Sequence, residues 1–156
     1  DSLGEPHHLL AESRGTVRLA SRDPVAAPAI DPNFLGNPAD LAVLRKGVRL
    51  MHRIAASPPL SGLGLSNRHS VDLADDDALD HLIRSRADTI YHPVGSCRMG
   101  NDARSVVDPR LRLRGLDRLW VADASVMPQI VSGNTNAPSI MIGERAAAFV
   151  SEVLRG

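Results

Sequence analysis

Three short stretches of the chain hold side chains that could work together on a substrate. The first is the loop Tyr91-His92-Pro93-Val94-Gly95. An imidazole can take up a proton near neutral pH, and the flanking Pro93 and Gly95 set rigid, turn-forming backbone that would fix its ring. The same residues also suit a structural or surface histidine. The other five histidines (His7, His8, His52, His69, His81) lack such surroundings and read as ordinary. The second stretch is Ser132-Gly133-Asn134-Thr135-Asn136-Ala137-Pro138. Two carboxamides lie two residues apart in a Gly-hinged loop, and a helix follows whose first-turn N–H groups and positive dipole end face the same place. Asn136 could equally serve only as the cap of that helix. The third is Val121-Ala122-Asp123-Ala124-Ser125, where small residues would let a phosphate or a sugar-like chain approach the backbone. A simple turn, with Asp123 bonding its own backbone, is an equal alternative. Together these stretches offer a base, an amide and an electropositive helix end. That set matches oxidation of an alcohol by hydride transfer to a ring, such as an isoalloxazine, whose edge becomes anionic on reduction.

The elements that must position these groups read as follows. His8-Leu9-Leu10-Ala11 and Thr16-Val17-Arg18-Leu19 look like two short strands around a turn at Ser13-Arg14-Gly15, the second alternating polar and apolar. The segment 23–38 holds Pro24, Pro28, Pro32 and Pro38 and predicts an irregular connection. A helix is expected over 38–56, capped by Asn37, with Leu41, Leu44, Val48, Met51 and Ala55 on one face and Pro58-Pro59 beyond its end. A loop over 58–74 leads to a second helix over 75–87. Asp75-Asp76-Asp77 opens it, and Leu79, Leu82 and Ile83 form its buried stripe. Residues 105–116 predict a turn and a short strand. Leu119-Trp120-Val121-Ala122 predicts a buried strand ending at Asp123. The last helix, 137–154, is apolar on most sides and reads as interior.

The bulk properties restrict the partners. The chain has 156 residues, 18 basic and 18 acidic side chains, and 3% aromatics, so neither a basic field nor base-stacking surfaces favour nucleic acid. Cys97 is the single cysteine, which excludes an internal disulfide and fits a reducing compartment. No apolar run approaches the roughly 20 residues that span a bilayer. A cytoplasmic location is expected, with a place at the periphery of the inner membrane left open. No metal site is expected. The chain opens at Asp1 rather than Met and reads as a piece of something longer.

The ordered motifs Tyr91-His92-Pro93-Val94-Gly95-Ser96-Cys97-Arg98-Met99-Gly100, Val107-Asp108, Leu113-Arg114-Gly115-Leu116, Leu119-Trp120-Val121-Ala122-Asp123-Ala124-Ser125-Val126-Met127-Pro128, Asn134-Thr135-Asn136-Ala137-Pro138 and Met141-Ile142-Gly143-Glu144 resemble the C-terminal region of glucose–methanol–choline oxidoreductases. Ser13-Arg14-Gly15-Thr16-Val17-Arg18-Leu19 and Ile30-Asp31-Pro32-Asn33-Phe34 are similar to that family's substrate-domain segment. The bacterial choline- and alcohol-dehydrogenase branch looks nearest. The resemblance implies an FAD cofactor and an alcohol substrate. His92 would match the active-site histidine that assists removal of the hydroxyl proton. Asn134 would match the second active-site position, which bonds the substrate oxygen. Asp123 and Ala124 match positions at the FAD ribityl–pyrophosphate region, and Thr135 and Asn136 lie where the chain approaches the flavin pyrimidine edge. Oxygen or a quinone-like carrier would accept the electrons.

The implied fold is α+β, with a mostly antiparallel substrate-domain sheet carrying helices on one face over 1–104. The part 105–156 would return to an FAD-binding domain as one strand and one long helix, leaving apolar surface uncovered when alone. One departure matters. The family's Gly-x-Gly-x-x-Gly turn for ADP is absent, since Gly62-Leu63-Gly64 follows Pro58-Pro59-Leu60-Ser61 rather than a strand and lacks the third glycine. The remainder of the same enzyme would have to supply it. Two rival readings stand beside this one. A Ser96–His92–Asp hydrolase would need a Gly-x-Ser-x-Gly elbow, which Gly95-Ser96-Cys97 does not provide. A non-catalytic binding module would also lack the cofactor domain.

Overall fold

A computed structural model describes residues 10–65 and 69–155. The chain divides into two compact units, one ending at Ile90 and one beginning at Tyr91. The architecture is α+β, with three helices and a two-stranded antiparallel sheet among the described residues.

In the first unit, β1 (Thr16–Arg18) pairs with β2 (Ala29–Asp31) in the register Thr16↔Asp31, Val17↔Ile30 and Arg18↔Ala29. The substrate-domain sheet expected from the sequence is thus reduced to three residues per strand. Pro28 and Pro32 bracket β2, and proline cannot donate to a ladder. Every residue of both strands is exposed, the paired Val17 and Ile30 included, so no helix covers either face of the sheet. The helices pack against each other instead. The expected strand at His8–Ala11 lies partly outside the described residues, and Leu10 and Ala11 are not extended in a sheet. The chain there is tied down differently. Buried Asp40 accepts hydrogen bonds from the backbone N–H groups of Glu12 and Ser13, both at 2.8 Å, and from the Ser13 hydroxyl.

The first helix, α1 (Pro38–Ala55), begins as expected: Asn37 Oδ1 accepts from Ala39 N–H at 2.9 Å, and Pro38 occupies the first helical position. Its stripe of Leu41, Leu44, Val48, Met51 and Ala55 is buried or half-buried. A 3-10 turn at Leu60–Leu63 lies in the following loop. The second helix, α2 (Asp76–Arg86), is capped by Asp75, whose carboxylate accepts from Asp77 and Ala78 N–H. Leu79 and Ile83 are buried and Leu82 half-buried. Arg45 and Arg49 of α1 reach Asp76 of α2, and the Arg49 hydrogen bond holds that carboxyl below its usual range.

The second unit is organised around Val107, Leu111, Val126, Met127, Ile142, Ala146 and Phe149. Isolated bridges join Met99 to Val107, Val107 to Leu113 and Arg112 to Trp120. The strand expected at 119–122 is only the last of these bridges. Arg118 just before it takes a left-handed backbone conformation (φ 58°), Leu119 is 46% exposed, and Ala122 and Asp123 face solvent. The last helix, α3 (Asn136–Arg155), buries one stripe, Ile142, Ala146 and Phe149, at helical spacing. It is not interior on all sides, because Ile140, Met141 and Leu154 are exposed.

Candidate functional site

His92 is half-buried in a loop of unusual backbone. Tyr91 immediately before it adopts a left-handed conformation (φ 61°), which costs a non-glycine residue on the order of 1 kcal/mol and is characteristic of positions whose geometry is fixed from outside. Gly95 also has positive φ, and a Cβ there would stand 3.4 Å from the Met127 carbonyl oxygen. The loop is then stitched by main-chain bonds to the 3-10 turn Ala124–Val126. Cys97 N–H donates to Ser125 C=O at 3.0 Å and Met99 N–H to Val126 C=O at 2.8 Å.

The imidazole itself meets the segment before α3. His92 Nδ1 lies 2.9 Å from the hydroxyl of Thr135, a residue only 8% exposed. Asn134 and Asn136, which flank Thr135 in the chain, are both exposed. Asn136 is the first residue of α3, and the Thr135 carbonyl accepts from Ser139 N–H and Oγ. No acidic residue sits in the first turn of α3, so the helix's own first turn does not offset its positive end.

The Asp123–Ala124 pair forms the start of the turn to which the His92 loop is bonded. Asp123 Oδ1 accepts from Ser125 N–H at 2.7 Å, so the self-bonding turn holds, while the residue remains exposed. Ala124 packs half-buried against the core. The site residues expected from the sequence thus lie on two linked turns. His92 and Thr135 are in direct contact, Asn134 and Asn136 adjoin that contact, and Asp123 and Ala124 join the same frame through the main chain.

A cluster missed in the sequence shapes the exit of the His92 loop. Arg98 makes a two-pronged pair with Asp102 (2.9 and 2.7 Å), and Ser105 Oγ donates to the same carboxylate. Gly100 lies under this cluster, where a Cβ would come within 2.4 Å of Ser105 Oγ. The Arg98 hydrogen bond, aided by Arg104 N–H and Ser105, holds the Asp102 carboxyl well below the usual carboxylate range. A depressed folded value means the contribution is complete above about pH 4, where the unfolded carboxylate is ionised, and is lost as pH falls further. Amide exchange over 98–105 should therefore stay constant from pH 7 to about 4 once corrected for intrinsic rates, and quicken below. Asp102→Asn should remove that acid limb; an unchanged limb would assign it elsewhere.

The family model described as GMC oxidoreductase matches residues 11–143. The chain is 47% identical over 145 residues to "Alcohol dehydrogenase [acceptor]" of Pseudomonas putida, covering 91% of this chain and 26% of that protein. It is 43% identical over 140 residues to an oxygen-dependent choline dehydrogenase of Cronobacter sakazakii, covering 89% and 25%. A solved FAD-dependent oxidoreductase from Chaetomium thermophilum superposes with a TM-score of 0.88 at 28% identity, over 95% of this chain and 26% of that one. The chain spans about a quarter of the length of the curated relatives it matches.

Proposed function

Because the chain belongs to the GMC oxidoreductase family, we propose that it is the C-terminal portion of an FAD-dependent enzyme that oxidises the CH–OH group of an alcohol by hydride transfer to flavin N5. The observation that carries this reading is the 2.9 Å contact between His92 Nδ1 and Thr135, which sets the imidazole beside Asn134, Asn136 and the positive end of α3. The donor set fits an electron-rich ring edge: exposed carboxamides and a helix N-terminus with no acidic residue in its first turn. When bound, FAD supplies the acceptor for the hydride.

The chain's own residues do the rest. Nδ1 is engaged by Thr135, so Nε2 is the nitrogen left to take the substrate hydroxyl proton. The Asn134 carboxamide donates to the substrate oxygen and holds it as its charge grows. Asn136 and the backbone of Thr135 would lie against the flavin pyrimidine edge. Asp123 and Ala124 face the ribityl–pyrophosphate region, where Asp123, with Oδ1 engaged by Ser125 N–H, has its other oxygen to offer. In the whole enzyme, 1–104 belongs to the substrate domain and 105–156 to the FAD-binding domain, with the ADP cradle supplied by the remainder of the chain. Oxygen or a quinone-like carrier would accept the electrons, and the enzyme would work in the cytoplasm or at the periphery of the inner membrane.

Rapid mixing of the full-length oxidised enzyme with a panel of primary alcohols tests this reading. Bleaching of the flavin band is expected with at least one of them, and Asn134→Ala should slow it about tenfold, the scale of one hydrogen bond to a developing charge. A full-length protein that holds no flavin, or whose flavin no alcohol bleaches, would favour a non-catalytic remnant.

A further inference from the structure

We propose that Thr135 is a positioning residue that selects the tautomer of His92, its hydroxyl oxygen accepting from Nδ1–H so that Nε2 carries the lone pair. This rests on the reading of His92 as the base, and it adds a role that residue type alone does not assign. A neutral imidazole has one donor and one acceptor nitrogen, and the partner of one ring nitrogen decides which is which. Here that partner is a hydroxyl, which can either donate or accept. If Thr135 donated, Nε2 would hold the proton and could not take another from an alcohol. If it accepts, Nε2 is basic, and the same bond persists once the ring becomes an imidazolium.

The local sequence leaves the oxygen free for this. Thr135 stands immediately before α3, where a threonine hydroxyl ordinarily accepts from the N–H two or three residues on. The residue three on is Pro138, which has no N–H, and the Thr135 hydroxyl makes no hydrogen bond to Ala137. Among the described residues, its hydrogen-bond partner is His92. At 8% exposure water competes poorly for the bond, and the helix fixes the residue's backbone. The ring is thereby oriented as well as protonated at a chosen nitrogen.

The test reads the tautomer directly. In full-length enzyme labelled with 15N-histidine, the His92 signals are assigned by difference against His92→Gln. The expected pattern is a protonated Nδ1 and a bare Nε2. Thr135→Val should abolish that pattern and slow flavin reduction by alcohol about 10-fold or more, the scale seen when the partner of a functional imidazole is removed. Thr135→Ser should restore both. Should valine disturb the start of α3, Thr135→Ala makes the same comparison. A wild-type His92 protonated at Nε2, or a tautomer unchanged in both Thr135→Val and Thr135→Ala, overturns the proposal. Failure of the base reading looks different: His92→Ala would then reduce its flavin at the wild-type rate while the tautomer still followed residue 135.

Discussion

Replacing His92 by Ala in the full-length enzyme is expected to slow flavin reduction by alcohol roughly 10²-fold or more, the usual scale for losing a general base. Flavin content should be unchanged. The size of the effect follows from the geometry. One ring nitrogen is committed to Thr135, leaving a single nitrogen for chemistry, and a left-handed Tyr91 and a positive-φ Gly95 frame the loop that carries it. Alanine keeps this backbone and removes only the ring. The Thr135 hydroxyl would lose its partner, a cost to stability of about 1 kcal/mol that is small beside the kinetic effect. Stopped-flow reduction at saturating alcohol separates the possibilities. A rate within twofold of wild type would refute the base role, and a protein that loses its flavin would reassign His92 to cofactor binding.

The largest effect on stability is expected at Phe149. Its ring closes the core of the second unit at 9% exposure, and the guanidinium groups of Arg110 and Arg145 lie 4.6 and 4.8 Å from its centroid. Arg110 also pairs with Glu152 one turn along α3, so the ring sits within a small charged lattice. Phe149→Ala removes the buried ring and leaves a cavity, together about 3–5 kcal/mol. It also deletes two cation–π contacts, each worth about 0.5–1 kcal/mol where partly exposed. Phe149→Leu keeps most of the volume and should cost less than about 1.5 kcal/mol plus the cation–π loss. Urea unfolding followed through α3 amides would show the difference. Equal midpoints for the Ala and Leu variants would mean the ring is not what fills this core.

Local signals and long-range ones differ sharply in how much of this could be read beforehand. Helices α1 and α2 were legible because cap and stripe lie within one segment: Asn37 with Pro38, Asp75 with Leu79 and Ile83. Strand β2 was not, since its prolines read as irregular chain and its pairing with Thr16–Arg18 depends on a partner more than ten residues away. The run Leu119–Ala122 has strand composition, but it pairs only through the single bridge of Trp120 with Arg112. In α3 the apolar composition points to burial on most sides, whereas the buried residues are the stripe Ile142, Ala146 and Phe149. At the site, residue types and spacing singled out His92 and Asn134–Asn136. The bond between His92 and Thr135 joins positions 43 apart, and nothing in a buried threonine announces it. The Arg98–Asp102 pair had suggestive spacing, but the segment is no helix, so helical pairing rules did not point to it.

The tie between the His92 loop and the turn at 124–126 runs through peptide groups, Cys97 to Ser125 and Met99 to Val126. Whatever presses on one turn is transmitted to the other by atoms that every amino acid but proline possesses. Side-chain scanning would therefore be blind to this linkage. Residues 97 and 125 could drift in identity while the mechanical connection stayed intact, whereas Val126 is also held by the core, and removal of the amide hydrogen at 97 or 99, by proline or by an ester in the main chain, would weaken the tie between the two turns.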